Sequence, residues 1–217
     1  MAQKAKKIDY ERRPSATWYR VVRVFFGLIF HTLWPLEVRG VENVPRKGAA
    51  VMVSNHLSLL DPFVVSYGAN RLVSFMGKEE LFRMPLLGEV MRKLGSFPVD
   101  RSQRDPTSMK IALTILKEGE LLGMFPEGTR STTGDMNELR TGAARLAART
   151  KVPIVPVAVI NTNHAMPPGK LLRPARIGVR FGEPFELTEL YDKPKDEAAL
   201  GRALETIKQH IAALQVE

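Results

Sequence analysis

Cysteine is missing altogether from the 217 residues of this chain. Disulfide frameworks, thiolate metal sites and a cysteine nucleophile are thereby excluded, and the composition is compatible with a reducing compartment. A membrane-spanning run is missing too. Only eleven residues, VFFGLIFHTLW, separate Arg23 from Pro35; as a helix they cover about 16 Å of a hydrocarbon core that is ~30 Å thick. Extending the run backwards admits Arg20 and Arg23, each costing roughly 2.5–3.5 kcal/mol at a bilayer centre. No cleavable signal is expected, because the stretch ahead of this run is long and charged and no small-residue cleavage site follows it. Negative charge is scarce: 23 acidic residues stand against 32 Lys and Arg, a formal net charge of +9. Such a balance calls for an anionic partner, whether nucleic acid, an anionic membrane surface or a phosphorylated substrate. Nucleic acid is set aside, since the basic residues are spread along the chain without an aromatic-studded strand or a recognition-helix motif.

What is present is enough for one core. At 44% hydrophobic and 25% charged, a chain of this length makes a single globular unit the expectation. Short apolar runs at 49–55, 72–77, 121–125, 153–160 and 176–182 read as strands, bounded by Gly, Pro or Asn. Helical patterns lie between them at about 62–69, 84–94, 106–118 and 138–150. A last helix carries Leu200, Leu204, Ile207, Ile211 and Leu214 on one stripe. The alternation predicts an α/β fold with a mixed, largely parallel central sheet flanked by helices. Two prolines inside VPIVPVAV (152–159) predict an edge or bent strand there.

The N-terminal segment is expected to stand apart as residues 1–37, ahead of a single α/β domain over 38–217. Projected at about 100° per residue, Trp18, Val21, Val22, Phe25, Ile29 and Leu33 share one face, opposite Arg20, Arg23, Gly27 and His31. With Lys4, Lys6, Lys7, Arg12 and Arg13 upstream, the pattern fits a helix lying in a membrane interface, its apolar surface widened by Phe26, Phe30 and Trp34. A surface helix of the globular core with a basic tail fits as well.

Chemistry concentrates in four stretches. In VMVSNHLSLLDPF (51–63), His56 and Asp61 are five residues apart, about 140° on a regular helix, so they meet only if the chain turns between them. Asp61-Pro62 reads as an N-cap followed by a proline at the first helical position, which supplies that turn. A catalytic pair and a plain helix cap both remain open. In FPEGTRS (125–131), Glu127, Gly128, Thr129 and Arg130 follow a strand, at the end of a sheet where ligands bind. Arg130 offers a bidentate fork to a phosphate and Gly128 a close backbone approach; a polar turn with a Glu127–Arg130 ion pair is the plainer alternative. GSFPVDR (95–101) delivers Arg101 to a loop, and MGKEEL carries Lys78; each is a candidate anion contact or a solvated cation. The fourth stretch is the proline-bearing run at 152–159.

Taken in order, SNHLSLLD, GKEELFRMPLLGEVMRKLGSFPVDR, FPEGTRS and VPIVPVAVI resemble the glycerophospholipid acyltransferase family, over roughly residues 49 to 160. The resemblance implies an acyltransferase that moves an acyl chain from acyl-CoA or acyl carrier protein to lysophosphatidic acid, giving phosphatidic acid, without cofactor or metal. It implies His56 as general base and Asp61 as its supporting carboxylate. Arg101, Glu127, Gly128, Thr129 and Arg130 then attend the glycerol phosphate, with Lys78 beside them, and Pro156 falls in the fourth block. It also implies peripheral or monotopic association with an anionic membrane, at the cytoplasmic face. Another acceptor, or a non-catalytic membrane-binding relative, stays open. One departure stands out: many members carry Phe-Lys-x-Gly after the FPEGTRS block, where this chain has Leu139, Arg140, Thr141 and Gly142. The charge is kept, but a fork replaces a point charge.

Overall fold

The computed structural model describes residues 16–100, 105–131, 133–167, 172–193 and 196–216. Arg101 and the basic residues Lys4, Lys6, Lys7, Arg12 and Arg13 lie outside them. In chain order the elements are α1 (Ala16–Thr32), β1 (Leu36–Arg39), β2 (Ala50–Ser54), α2 (Asp61–Gly68), β3 (Val73–Lys78), α3 (Glu79–Arg83), α4 (Pro85–Lys93), β4 (Phe97–Val99), α5 (Pro106–Lys117), β5 (Leu121–Met124), α6 (Gly142–Thr150), β6 (Ile154–Ile160), α7 (Thr162–Ala165), β7 (Ile177–Phe181) and α8 (Glu197–Val216).

The seven strands form one sheet in the order β1-β7-β6-β2-β5-β3-β4. Neighbours are parallel except β6 and β7, which run antiparallel. This is the mixed, largely parallel sheet that the alternation of patterns predicts. Strand residues alternate between two cores. Val51, Val53, Leu122, Ile154 and Ala158 bury toward α5, α6 and α8. Met52, Leu121, Val155, Val157 and Val159 bury toward α1 and α2. Covering both faces is why these strands read as unbroken apolar runs.

Two expectations need correction. β6 is not an edge strand: it lies between β2 and β7. Pro156 is tolerated because its carbonyl accepts from Gly182 N–H at 2.9 Å, just past the end of β7. In a strand the N–H and C=O of one residue point the same way, so the donor that proline lacks falls where that ladder has already ended.

The inward face of α1 also differs from the projection. Phe30 and Trp34 are buried in the core, and Phe26 stacks on Phe63 of α2 with ring centroids 4.6 Å apart. Arg23, expected on the polar face, donates to Tyr67 O at 2.8 Å, and a Cβ on Gly27 would lie 3.2 Å from the Tyr67 hydroxyl. The face left outside carries Trp18, Val21, Val24, Phe25 and Leu28; Val24 is 74%, Phe25 59% and Leu28 67% exposed. The helix is amphipathic in an unusual sense, one apolar side against the protein and another against solvent. Among the described residues no helix is long and apolar enough to cross a membrane.

Candidate active site

Because β2, β5, β3, β4 and β6 run parallel, the chain segments that follow them all emerge at one edge of the sheet. This brings together His56 after β2, residues 125–131 after β5, Lys78 at the end of β3 and Thr162 after β6. Stretches up to about a hundred residues apart in the sequence thereby share one cleft.

The turn at His56 is built by its neighbours. The Asn55 side chain takes over the ladder where β2 stops: its Nδ2 donates to Val159 O at 3.0 Å, and its Oδ1 accepts from Val159 N–H at 2.8 Å. The buried Ser54 and Ser58 hydroxyls are spent on the main chain, donating to Asn55 O and Met166 O. The chain then curls so that Asp61, fully buried, faces backwards. Its Oδ2 accepts from Leu57 N–H at 2.6 Å, Ser58 N–H at 2.7 Å and His56 Nδ1 at 2.8 Å. Its Oδ1 accepts from Thr162 Oγ1 at 2.5 Å. Four donors offset the cost of burying a carboxylate. An oxygen that already accepts from two amides takes a third hydrogen from the ring, so Nδ1 carries the proton and Nε2 is the free base of the neutral tautomer.

The cap reading of Asp61 is not what the geometry shows. Asp61 is the first residue of α2, behind Leu60 at the cap position, and no side-chain cap bond is made. Its carboxylate binds the loop behind it and the imidazole, leaving its own helix amides aside. Thr162, which completes the set from the end of β6, escaped sequence reading: a threonine after a strand carries no signal of its own.

Phe125 is the other unassigned member. His56 stacks on its ring at 4.1 Å between centroids, and Phe125 stacks on Phe75 at 5.2 Å. These rings begin the wall of an apolar cleft that holds about 920 Å³ of empty space, open mouth included. Beyond His56 it is lined by Phe63, Phe75, Leu81, Leu87, Met91 and Leu94, with Lys78, Thr129 and Arg130 among its polar lining.

The FPEGTRS turn splits in its roles. Thr129 and Arg130 line the cleft. Glu127 is buried and accepts from His56 N–H at 2.8 Å and from Asn137 N–H and Nδ2 at 2.9 and 2.8 Å, in place of the surface ion pair with Arg130. Gly128 has φ +71°, and a Cβ there would lie 2.9 Å from Arg140 Nε. The Arg140 side chain, at the position where many members of the resembled family carry lysine, thus lies against the turn at Gly128. Among the described residues Lys78, Arg130 and Arg140 have no carboxylate partner, which leaves three cations around the turn and cleft for an anionic ligand. Among the described residues no group of three His, Asp or Glu side chains is gathered to hold a metal ion.

Comparison with known proteins returns one consistent picture. Residues 35–160 match the family model described as Acyltransferase. The 1-acyl-sn-glycerol-3-phosphate acyltransferase of Bacillus subtilis (strain 168) is 31% identical over 183 residues, 83% of this chain and 88% of that protein. The chloroplastic 1-acyl-sn-glycerol-3-phosphate acyltransferase of Brassica napus is 32% identical over 166 residues, 74% of this chain but only 47% of that protein, so the chain spans about half of its length. The crystal structure of the 1-acyl-sn-glycerophosphate (LPA) acyltransferase of Thermotoga maritima superposes with a TM-score of 0.73 at 28% identity, covering 90% of this chain and 79% of that one.

Proposed function

Since this chain belongs to the acyltransferase family, we propose that it transfers an acyl chain from acyl-CoA or acyl carrier protein to the free hydroxyl of lysophosphatidic acid, forming phosphatidic acid. The observation that carries the reading is the His56 Nδ1 to Asp61 Oδ2 bond of 2.8 Å at the head of an apolar cleft whose lining also includes Lys78 and Arg130. The chemistry needs those parts together. An alcohol is a weak nucleophile near neutral pH, so Nε2 of His56 takes its proton as the oxygen attacks the thioester carbonyl. Asp61 holds the tautomer and stabilises the imidazolium that forms. Collapse of the tetrahedral intermediate breaks the C–S bond, and the imidazolium gives its proton to the departing thiolate, which leaves as the thiol. Arg130 and Lys78 anchor the acceptor phosphate, with Arg101 assigned to the same task by its motif, and the apolar cleft receives the acyl chain.

The substrates and product are lipids, and the outward stripe of α1 suits a peripheral or monotopic seat on an anionic membrane, at the cytoplasmic face. In this arrangement the segment through α1 supplies the membrane contact and the α/β domain, whose sheet begins at Leu36, the catalytic unit.

The test is thiol release from a matrix of thioesters, CoA and carrier-protein linked, against lysophosphatidic acid, other lysophospholipids and glycerol 3-phosphate. Release dependent on lysophosphatidic acid is expected. His56→Ala should lower it by about 10⁴-fold or more, with circular dichroism and vesicle binding unchanged. Near-normal turnover of that variant would end the base assignment, and release with a different acceptor would reassign the substrate.

A further inference from the structure

The glutamate of the FPEGTRS turn is set apart from its neighbours. Thr129 and Arg130 line the cleft, whereas Glu127 does not and is only 4% exposed. Both its oxygens are engaged by protein donors: Oε1 by His56 N–H at 2.8 Å, Oε2 by the main-chain and side-chain nitrogens of Asn137 at 2.9 and 2.8 Å. The same turn holds the opposite side of that residue, since Ser131 N–H donates to His56 O at 2.7 Å. Arg140 N–H donates to Pro126 O at 2.9 Å, returning the 133–141 loop to the turn. The main chain of His56 is therefore gripped at both its N–H and its C=O by residues 127–131, and the grip is braced by Asn137.

We infer that Glu127 is a positioning residue, which sets the His56 main chain against the 133–141 loop, rather than a contact to the glycerol phosphate. A carboxylate is required for geometric reasons. It accepts on both oxygens, while an amide accepts on one and donates on the other. A glutamine that accepts from His56 N–H turns its NH₂ toward the Asn137 donors; flipped, it turns the NH₂ toward His56 N–H. Aspartate is one methylene shorter and cannot bridge the two loops. The imidazole inherits the error through its own backbone, and small misplacements of a reacting group are costly in rate.

The inference rests on the proposed reaction for its kinetic arm and is independent of it in its second arm. Glu127→Gln should lower kcat by about 10–100-fold while the KM for lysophosphatidic acid stays within about threefold. Amide hydrogen exchange in peptides covering 55–60 and 133–139 should quicken by about tenfold or more, with β6 and α8 unchanged. A rise in acceptor KM at unchanged kcat, or unaltered exchange at His56 and Asn137, overturns the inference. Asn137→Ala, which removes only the Nδ2 bond, keeps the test open if the glutamine variant fails to fold. It should lower kcat by about threefold at constant KM, and a KM effect alone counts against the strut. If the wild-type protein releases no thiol with lysophosphatidic acid, the exchange arm still reads the brace while the reaction itself is refuted.

Discussion

Asp61 concentrates the physical cost of this site in one side chain. It is fully buried, and its four donors come from His56, Leu57, Ser58 and Thr162. Two of those are adjacent main-chain amides that any residue but proline could supply, one is the imidazole, and one is a hydroxyl at the start of α7, just beyond β6. The Thr162 bond is the least replaceable by relaxation, because Thr162 is itself fully buried on a different element. Leaving a buried acceptor short of its donor costs about 1–3 kcal/mol, and more where the acceptor is charged. Thr162→Val should therefore lower kcat about tenfold and reduce thermal stability, whereas Thr162→Ser should retain most of both, measured by steady-state kinetics and calorimetry. A valine variant with wild-type kinetics would show that the imidazole does not depend on this bond. At this scale sequence reading is uneven: a carboxylate five residues from a histidine is visible as a motif, but a threonine one hundred residues away is not.

Among the elements, α1 and β6 depart most from their patterns. The apolar residues of α1 are too many for one face, so periodicity alone could not say which would meet protein and which would stay outside. Packing decided it: small Gly27 admits Tyr67, Phe26 stacks on Phe63, and Arg23 reaches a carbonyl at the end of α2. Trp18, Val21, Val24, Phe25 and Leu28 then form the exposed stripe. If that stripe seats in a bilayer, each large side chain contributes about 1.5 kcal/mol or more. The double variant Phe25→Ser, Leu28→Ser should then partition onto anionic vesicles about 100-fold less well, with thiol release from water-soluble short-chain substrates retained. Unchanged sedimentation with vesicles would remove α1 from the membrane contact. In β6 the misreading has a different cause. Proline weakens a central strand through its missing donor, and here that donor would point past the end of β7, so the rule against central prolines had nothing to act on.

The cleft belongs to the whole molecule. Its walls come from α2, β3, α3 and α4, and Phe63, Ser66 and Leu94 are among its lining. Those three residues also line a smaller space beneath α1, bounded by Val22, Phe26 and Tyr67. Phe63, stacked on Phe26, is the largest side chain that the two spaces share. Phe63→Ala should join the two spaces and move the thioester preference toward longer chains. With each added buried methylene worth about 0.8 kcal/mol, two further carbons shift the ratio of kcat/KM by about tenfold, read from a series of thioester lengths; an unchanged optimum would place the chain's end elsewhere. By itself the sequence determined the order of five of the seven strands and of the longer helices between them, because buried parallel strands are short apolar runs and the flanking helices carry a 3.6-residue stripe; β1, β4, α3 and α7 are too short to show a period. It also singled out His56, Asp61, Lys78 and the Glu127–Arg130 turn as candidates, since they stand in short local stretches. Tertiary structure alone decided what each of them touches: that Asp61 turns back to the imidazole instead of capping α2, that Glu127 grips a backbone while Arg130 faces the cleft, and that α1 keeps an apolar side outward. Those outcomes depend on partners brought close by sheet topology, and no local periodicity carries information about a neighbour a hundred residues away.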